Sequence, residues 1–136
     1  MMTNKTFAII KPDAVSNGKT GHIISAIESF DFDIVKMKKI HLSNEQAEAF
    51  YAVHAERPFY GELVEFMTSG PVVVLSLEKE NAVSSFREAI GDTDPANAME
   101  GTIRNQFGEN KGKNAIHGSD SDENASIETS FFFGNE

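Results

Sequence analysis

Short apolar runs alternate along this chain with segments of helical spacing, and the pattern predicts a domain that mixes strands and helices. The run at 6–10 predicts a buried strand that is closed by a turn at 11–13. The run at 72–77 is apolar on both faces, as in a central strand. Imperfect alternation between 32 and 42 predicts another strand, and 115–117 predicts a brief last one.

Helical signals lie between these strands. Apolar residues at helical spacing predict a helix over 21–30, and Ser43 with Gln46 predicts a capping box that opens a helix through Tyr51. Further helices are expected at 60–67, from the N-cap Asn81 to Gly91, and from Asp122 to the phenylalanines at 131–133. Residues 91–108 show no clean period and predict a long loop, which in a compact domain is usually functional.

The order of these elements predicts the fold. Strand, helix, strand, helices, strand, helix, strand is a βαββαβ order, so we expect an α/β (α+β) domain of ferredoxin-like type, with an antiparallel sheet covered by helices. A length of 136 residues is enough for one core and too short for two, so residues 1–136 are expected to form a single domain.

Composition narrows the class of protein. Hydrophobic residues make up 40% and charged residues 24%, a globular balance, and the net charge of −9 argues against nucleic-acid binding. The absence of cysteine excludes a disulfide framework and a thiolate zinc site. No export signal is visible at the N-terminus, and no apolar run approaches the roughly 20 residues of a membrane span. We therefore expect a soluble, cytoplasmic protein without a membrane partner.

One short segment has the character of a reactive site. His117 is followed by Gly118 and then by small polar residues, in the run Asn-Ala-Ile-His-Gly-Ser-Asp-Ser at 114–121. Gly118 permits backbone angles closed to other residues and leaves no Cβ in the way of a ligand. Ser119, Asp120 and Ser121 favour a turn or a helix N-cap. The sequence predicts an accessible histidine beside the start of a helix.

This run resembles the active-site signature of the nucleoside diphosphate kinases, in which the histidine carries a phosphoryl group between nucleotides. The resemblance extends over most of the chain and implies the fold predicted above. It also implies a ping-pong transfer of the γ-phosphoryl group from a nucleoside triphosphate to a nucleoside diphosphate, through a phosphohistidine at His117. Neither of the common glycine-rich phosphate loops is present, so side chains must hold the phosphates.

The resemblance assigns roles to particular residues. His117, Lys11 and Glu128 would be catalytic, with Glu128 fixing the imidazole. Read without the resemblance, Glu128 is an ordinary solvated helix charge, and for Lys11 a solvated charge and a phosphate-directed one are equally plausible. Phe59 follows Pro58 and offers either a stacking surface that accepts any base or a core ring. Lys111 stands where many relatives have an apolar residue beside the base. The nucleotide-binding set implied is Lys11, Tyr51, Phe59, Arg87, Thr93, Arg104 and Asn114.

Cofactor and partners follow from the same resemblance. Mg²⁺ is expected to travel with the nucleotide and to have no direct protein ligand, with Asp120 as a contact through water. The expected partners are nucleoside triphosphates and diphosphates, and a homo-oligomer, either a tetramer or a hexamer built from dimers. Two alternatives stay open at this point: a nucleotide-binding regulatory module without turnover, and a phosphohydrolase with water as acceptor.

Overall fold

Four antiparallel strands form the sheet in a computed structural model of the chain, which describes residues 4–134. The strands are β1 (Lys5–Ile10), β2 (Asp33–Ile40), β3 (Val72–Glu78) and β4 (Ile116–Gly118), in the order β2-β3-β1-β4 across the sheet. Strand β1 is central, since Ile9 pairs with Val74 on one side and with His117 on the other. The ferredoxin-like prediction is confirmed, and this order brings His117 beside a central, largely buried strand.

Helices cover both faces of this sheet. The described residues form α1 (Pro12–Ser16), α2 (Thr20–Ser29), α3 (Asn44–Phe50), α4 (Tyr60–Met67), α5 (Ala82–Ile90), α6 (Ile103–Phe107) and α7 (Asp122–Phe133). Two single 3-10 turns occur at Ala52–His54 and Pro95–Asn97. No helix within residues 4–134 is long and apolar enough to cross a membrane.

The alternation of β1 divides the core into two layers. Ala8 and Ile10 face a cluster that α2 and α5 complete, whereas Phe7 and Ile9 face a cluster built with α3, α4 and α7. Residues directly opposite each other in an antiparallel pair share a face, so His117 lies on the same face as Ile9. The histidine is therefore placed on the α3, α4 and α7 side.

Most of the predicted elements are found within a residue or two of their expected ends. The capping box is confirmed: the Ser43 hydroxyl accepts from Gln46 N–H, and the Gln46 side chain accepts from Ser43 N–H. Asn81 occupies the N-cap of α5 as predicted, but its side chain makes no capping hydrogen bond, because its backbone is left-handed with φ 53°. The position of this N-cap was thus predicted correctly, whereas its capping hydrogen bond was not.

Three local predictions were wrong. Residues 11–13 do not form a plain turn, because Pro12 at the first helical position starts α1. The segment 91–108 is not a continuous loop, since Thr102 accepts from Asn105 N–H and opens α6. The last strand begins at Ile116, because Ala115 has a left-handed φ of 76°. The short helices α1 and α6 were not predicted because they contain too few apolar positions to show a helical period.

Candidate functional site

A cleft of about 310 Å³ opens beside β4 and contains much of the predicted site. It is lined by the end of α3 and the following 3-10 turn, by α5, by the 93–104 segment, and by β4 and α7. The lining residues are Phe50, Tyr51, Val53, His54, Arg87, Thr93, Arg104, His117, Gly118, Asp120, Asn124 and Glu128. The fold thus gathers side chains that are up to 78 positions apart in sequence, from Phe50 to Glu128.

His117 is held from behind by the last helix. Its Nε2 lies 3.0 Å from Oε1 of Glu128, and the Ser119 hydroxyl donates to the same oxygen at 2.7 Å. An ionised carboxylate can only accept hydrogen bonds, so Nε2 carries the hydrogen. In the neutral ring the lone pair then lies on Nδ1. Glu128 therefore selects the tautomer in which Nδ1 can act as a nucleophile.

Aromatic rings enclose the flanks of the imidazole. The Phe50 ring lies 5.8 Å from the His117 ring, centroid to centroid, with the planes at 76°, and Phe7 lies at 6.3 Å and 62°. About a quarter of the His117 side chain, 23%, remains exposed. The His117 ring is thus accessible from the cleft on one side and packed against aromatic rings on its flanks. The prediction of an accessible histidine is confirmed.

Lys11 belongs to a hydrogen-bonded chain beside the cleft. Its Nζ donates to Oδ1 of Asn114 at 2.8 Å, and Nδ2 of Asn114 donates to the carbonyl of Thr93 at 3.0 Å. Burial, and to a lesser degree the charge of Arg104, lower the pKa of Lys11 to about 8, against the opposing effect of Asp13. Lys11 and the buried Asn114 do not themselves line the cleft.

The two predicted arginines have different environments. Arg104 is tied down, because its Nη1 donates to the Gly91 carbonyl at 3.1 Å and its Nη2 to the Ile116 carbonyl at 2.9 Å, while Nε is buried without a partner. Burial and then the charge of Arg87 lower the pKa of Arg104 to about 10. Arg87 is exposed on α5. An anion bound between the two guanidinium groups would stabilise the charge of Arg104.

Asp13 supports the segment that carries Asn114. Its Oδ2 accepts from the N–H of Ala115 at 3.1 Å, and Lys11 N–H donates to the Ala115 carbonyl at 2.8 Å. Both bonds hold Ala115 in its left-handed backbone conformation. Burial raises the pKa of Asp13. From the sequence, Asp13 is expected only as a turn residue, and this supporting role was not predicted.

Other predicted residues take varied positions. The Tyr51 hydroxyl is buried without a partner, and burial together with the Glu128 charge raises its pKa, so it stays a hydrogen-bond donor. Asp120 lines the cleft and accepts from Asn124 Nδ2 at 2.6 Å. Phe59 is 46% exposed and packs 5.6 Å from His54, which excludes a core position, but it lies outside the lining of the cleft.

The prediction for Gly118 needs correction. Its φ is not among the positive values of the described residues, so no special backbone angle requires glycine there. An added Cβ would instead lie 2.9 Å from Cδ2 of buried Phe86 and 3.1 Å from Cδ1 of Ile90. Glycine is needed because the core side of β4 is packed closely against α5.

Sequence reasoning missed four residues that line the cleft. Val53 and His54 come from the 3-10 turn, Asn124 from α7, and Phe50 from the end of α3. None of the four is assigned to the site from the sequence. Their helical spacing is ordinary, so no sequence signal distinguishes the face that points towards His117.

A larger cleft of about 570 Å³ lies elsewhere, between α1 and α4. Its carboxylates are Asp13, Glu62, Glu65 and Glu109, and of the residues assigned to catalysis or nucleotide binding it includes none. A negative lining disfavours a phosphate ligand. The smaller cleft at His117, with its two guanidinium groups, is the site suited to a nucleotide.

Fold and cleft together fit an enzyme that transfers phosphoryl groups with nucleotides as substrates. A model of the family described as nucleoside diphosphate kinase matches residues 4–136, and the chain belongs to that family. It is accordingly an enzyme that transfers a phosphoryl group from a nucleoside triphosphate to a nucleoside diphosphate. The regulatory alternative without turnover is not favoured.

Individual relatives agree over nearly the whole length. The nucleoside diphosphate kinase of Chlorobaculum tepidum is 60% identical over 132 residues, which cover 97% of this chain and 94% of that protein. The crystal structure of the Aquifex aeolicus nucleoside diphosphate kinase has a TM-score of 0.94 at 48% identity and covers 96% of this chain and 95% of its own. The crystal structure of the apo nucleoside diphosphate kinase from Encephalitozoon cuniculi has a TM-score of 0.92 at 38% identity. It covers 97% of this chain and 90% of its own.

Proposed function

We propose that His117 is the residue that carries the phosphoryl group, and that the enzyme works by a ping-pong mechanism. The observation that carries this proposal is the bond between His117 Nε2 and Glu128 Oε1, because it leaves the Nδ1 lone pair as the nucleophile beside two guanidinium groups. The same carboxylate stabilises the positive charge that the ring gains when Nδ1 forms a fourth bond.

The chemistry balances without any further reactant. Nδ1 of His117 forms a bond to the γ-phosphorus, and the bond from that phosphorus to the bridging oxygen breaks, so that a nucleoside diphosphate leaves with the electron pair. A terminal oxygen of a second diphosphate then attacks the same phosphorus, and the N–P bond breaks. The enzyme returns to its starting state with the neutral imidazole.

Cationic side chains of this chain would hold the phosphates. Arg87 and Arg104 share the cleft with His117, and Thr93 lies on its wall. Arginine suits this task because its planar fork matches phosphate oxygens. Lys11 would add a positive charge at the transferred group from the neighbouring end of β1. We assign phosphate binding to these four residues.

The remaining predicted residues would position the nucleotide. Asn114 donates one amide hydrogen to Thr93, which leaves the other for a sugar hydroxyl. The unpartnered Tyr51 hydroxyl would donate to a phosphate oxygen. Phe59 would stack on the base with its exposed ring, and stacking accepts any base, so we propose broad base tolerance.

Magnesium would enter with the nucleotide. Within residues 4–134, no group of three or more histidine, cysteine, aspartate or glutamate side chains is placed to hold a metal. Asp120 fits a looser role, since its carboxylate faces the cleft and one of its oxygens is anchored by Asn124. Mg²⁺ that accompanies the nucleotide would offset the charge of the phosphates, and Asp120 would be the residue that contacts it through water.

We further propose a homo-oligomer, a tetramer or hexamer built from dimers, located in the cytoplasm. Its support is the family to which the chain belongs and, for location, the absence of cysteine. Light scattering of the purified protein would separate a tetramer from a hexamer by mass. A monomer at micromolar concentration would contradict the assembly.

Acceptor competition tests the proposed function. The protein is mixed with γ-labelled ATP, and then with GDP. We expect labelled GTP to appear and free phosphate to stay a minor product.

His117→Gln should abolish the exchange while ADP binding stays within about threefold of wild type, since the imidazole supplies a covalent step and little binding. Exchange that persists in His117→Gln would refute the role of His117, and free phosphate as the main product would favour a phosphohydrolase.

A further inference from the structure

Phe50 occupies a position from which it can control which acceptor reaches the histidine. We propose that Phe50 is a positioning residue that keeps water away from phosphorylated His117, so that a nucleotide rather than water takes the phosphoryl group. This inference rests on the proposed function, because it concerns the fate of the phosphohistidine.

The geometry places the ring directly against the reacting side chain. Phe50 is the last residue of α3, and its ring meets the His117 ring at 5.8 Å and the Tyr51 ring at 4.9 Å, nearly perpendicular to both. It also lines the cleft in which the nucleotide would bind. Phe50 thus forms an apolar part of the wall immediately beside the nucleophile.

The ring is braced and does not act as a loose flap. Phe7, Phe131 and Phe132 lie 5.9, 5.5 and 5.3 Å from it, centroid to centroid. Contacts on several sides restrict its rotamers, because close-packed neighbours leave few alternatives. The wall beside His117 is therefore preformed.

The neighbourhood of this ring would otherwise suit a water molecule. The Tyr51 hydroxyl is buried without a partner, and the Glu128 carboxylate accepts bonds close to the imidazole. A buried water needs two or more polar partners and enough room. Phe50 fills room beside Tyr51 and His117, so its truncation would open space next to groups that can hold water.

The suppressed reaction is hydrolysis of the phosphoenzyme. A water oxygen would form a bond to phosphorus, the N–P bond would break with its electron pair returning to Nδ1, and the water protons would pass to the released phosphate and to solvent. Exclusion of water is a known way in which active sites protect a reactive intermediate. Phe50 would supply that exclusion here, because its ring is apolar and offers water no hydrogen bond.

The test compares hydrolysis with transfer in purified full-length protein. Each variant is phosphorylated with γ-labelled ATP and freed of nucleotide, and then the loss of label to water and to GDP is timed separately. For Phe50→Ala we expect the hydrolysis rate to rise by about tenfold or more while transfer to GDP falls by less than about fivefold. A purely structural defect would lower both rates.

Control variants distinguish the loss of the Phe50 ring from a general structural defect. Phe131→Ala removes one ring that packs on Phe50 but leaves Phe7 and Phe132 to hold it, and Phe131 has no ring contact with His117 among the described residues, so this variant should hydrolyse at close to the wild-type rate. Phe50→Tyr keeps the ring and should stay within about threefold of wild type. If Phe50→Ala does not fold by circular dichroism, Phe50→Val serves in its place, with an expected rise of about fivefold.

The outcomes separate this inference from the proposed function. If wild type forms no phosphohistidine, the proposed function fails. If it forms one and the folded truncation variant hydrolyses it no faster than Phe131→Ala, the role of Phe50 is overturned and the function stands. A rise confined to the Phe50 truncation, and absent from Phe50→Tyr, supports the inference.

Discussion

His117 and Glu128 meet across two elements, with Nε2 of the imidazole 3.0 Å from Oε1 of the carboxylate. The histidine lies on β4 and the glutamate in the second turn of α7, so the connection folds back on itself. Ser121 accepts from Asn124 N–H and fixes where α7 begins. Because that start sets the phase of the helix, it also decides that Glu128 faces the imidazole.

Replacement of Glu128 by glutamine should change the tautomer of His117. An amide can donate to Nε2, which moves the imidazole hydrogen to Nδ1 and removes the nucleophilic lone pair. We expect kcat to fall by about a hundredfold, within the range for loss of a group that orients an acid–base residue. Steady-state transfer from ATP to GDP measures it. Glu123→Gln, exposed in the first turn of the same helix, is the control, and an equal loss there would contradict the assignment.

Nucleotide binding should weaken above pH 8 because of Lys11. The pKa of Lys11 is lowered to about 8, so the free enzyme carries the ammonium charge below that pH and loses it as the pH rises. An anionic ligand favours the protonated form, and the Kd for ADP should rise by up to about tenfold per pH unit above 8. Calorimetric titration between pH 7 and 9.5 measures this dependence.

The matched variants for this pH effect are Lys11→Met and Lys19→Met. Lys11→Met should bind ADP weakly at every pH and with little slope between pH 7 and 9.5. Lys19 is exposed at the N-cap of α2, so Lys19→Met should keep the wild-type slope. A slope that survives unchanged in Lys11→Met would show that another group titrates.

Substitution of the two arginines should weaken ADP binding in both cases but lower the free energy of unfolding in only one. Arg104 donates to the carbonyls of Gly91 and Ile116, so Arg104→Ala should lower the free energy of unfolding by about 1–3 kcal/mol and also weaken ADP binding. Exposed Arg87→Ala should weaken ADP binding by about tenfold and change stability by less than about 0.5 kcal/mol. Urea unfolding and calorimetric titration give the two quantities. Equal destabilisation by both variants would contradict this difference.

Gly118→Ala should destabilise the fold through the core side of β4. The new methyl group would approach Cδ2 of Phe86 to 2.9 Å, and Phe86 is fully buried. We expect a loss of about 1–3 kcal/mol in unfolding free energy, as for overpacked cores, with lower kcat because His117 shifts. In Gly112→Ala the nearest atom is 3.6 Å away, so that variant should be unchanged. A wild-type melting curve for Gly118→Ala would disprove the close packing.

The sheet and most helices could be predicted because their signals are local. The apolar run 72–77 and the capping box at Ser43 each specify one element through residues that are neighbours in sequence. Helix α6 and the left-handed Ala115 were not predictable in the same way. Helix α6 is too short to show an apolar period, and Ala115 is held by a tertiary contact, the bond from its N–H to Asp13 about a hundred positions earlier.

The candidate site was predictable to the extent that a motif marks it. His117 stands in a recognisable run, and from it the resemblance supplied Glu128, Lys11 and the arginines. Phe50 and Asp13 were not predicted, because each acts through a residue that is distant in sequence. Phe50 contacts His117, and Asp13 accepts a hydrogen bond from Ala115. Neither a helix phenylalanine nor an aspartate after proline differs locally from its many ordinary counterparts.

The most direct measurement of the central claim is the chemical state of His117 after exposure to ATP alone. The protein is incubated with γ-labelled ATP, separated from nucleotide, digested under alkaline conditions, and the labelled peptide is sequenced by mass spectrometry. We predict an acid-labile, base-stable label on Nδ1 of His117 that passes to GDP on addition. A label on another residue, or a protein that consumes ATP without ever becoming labelled, would contradict the account.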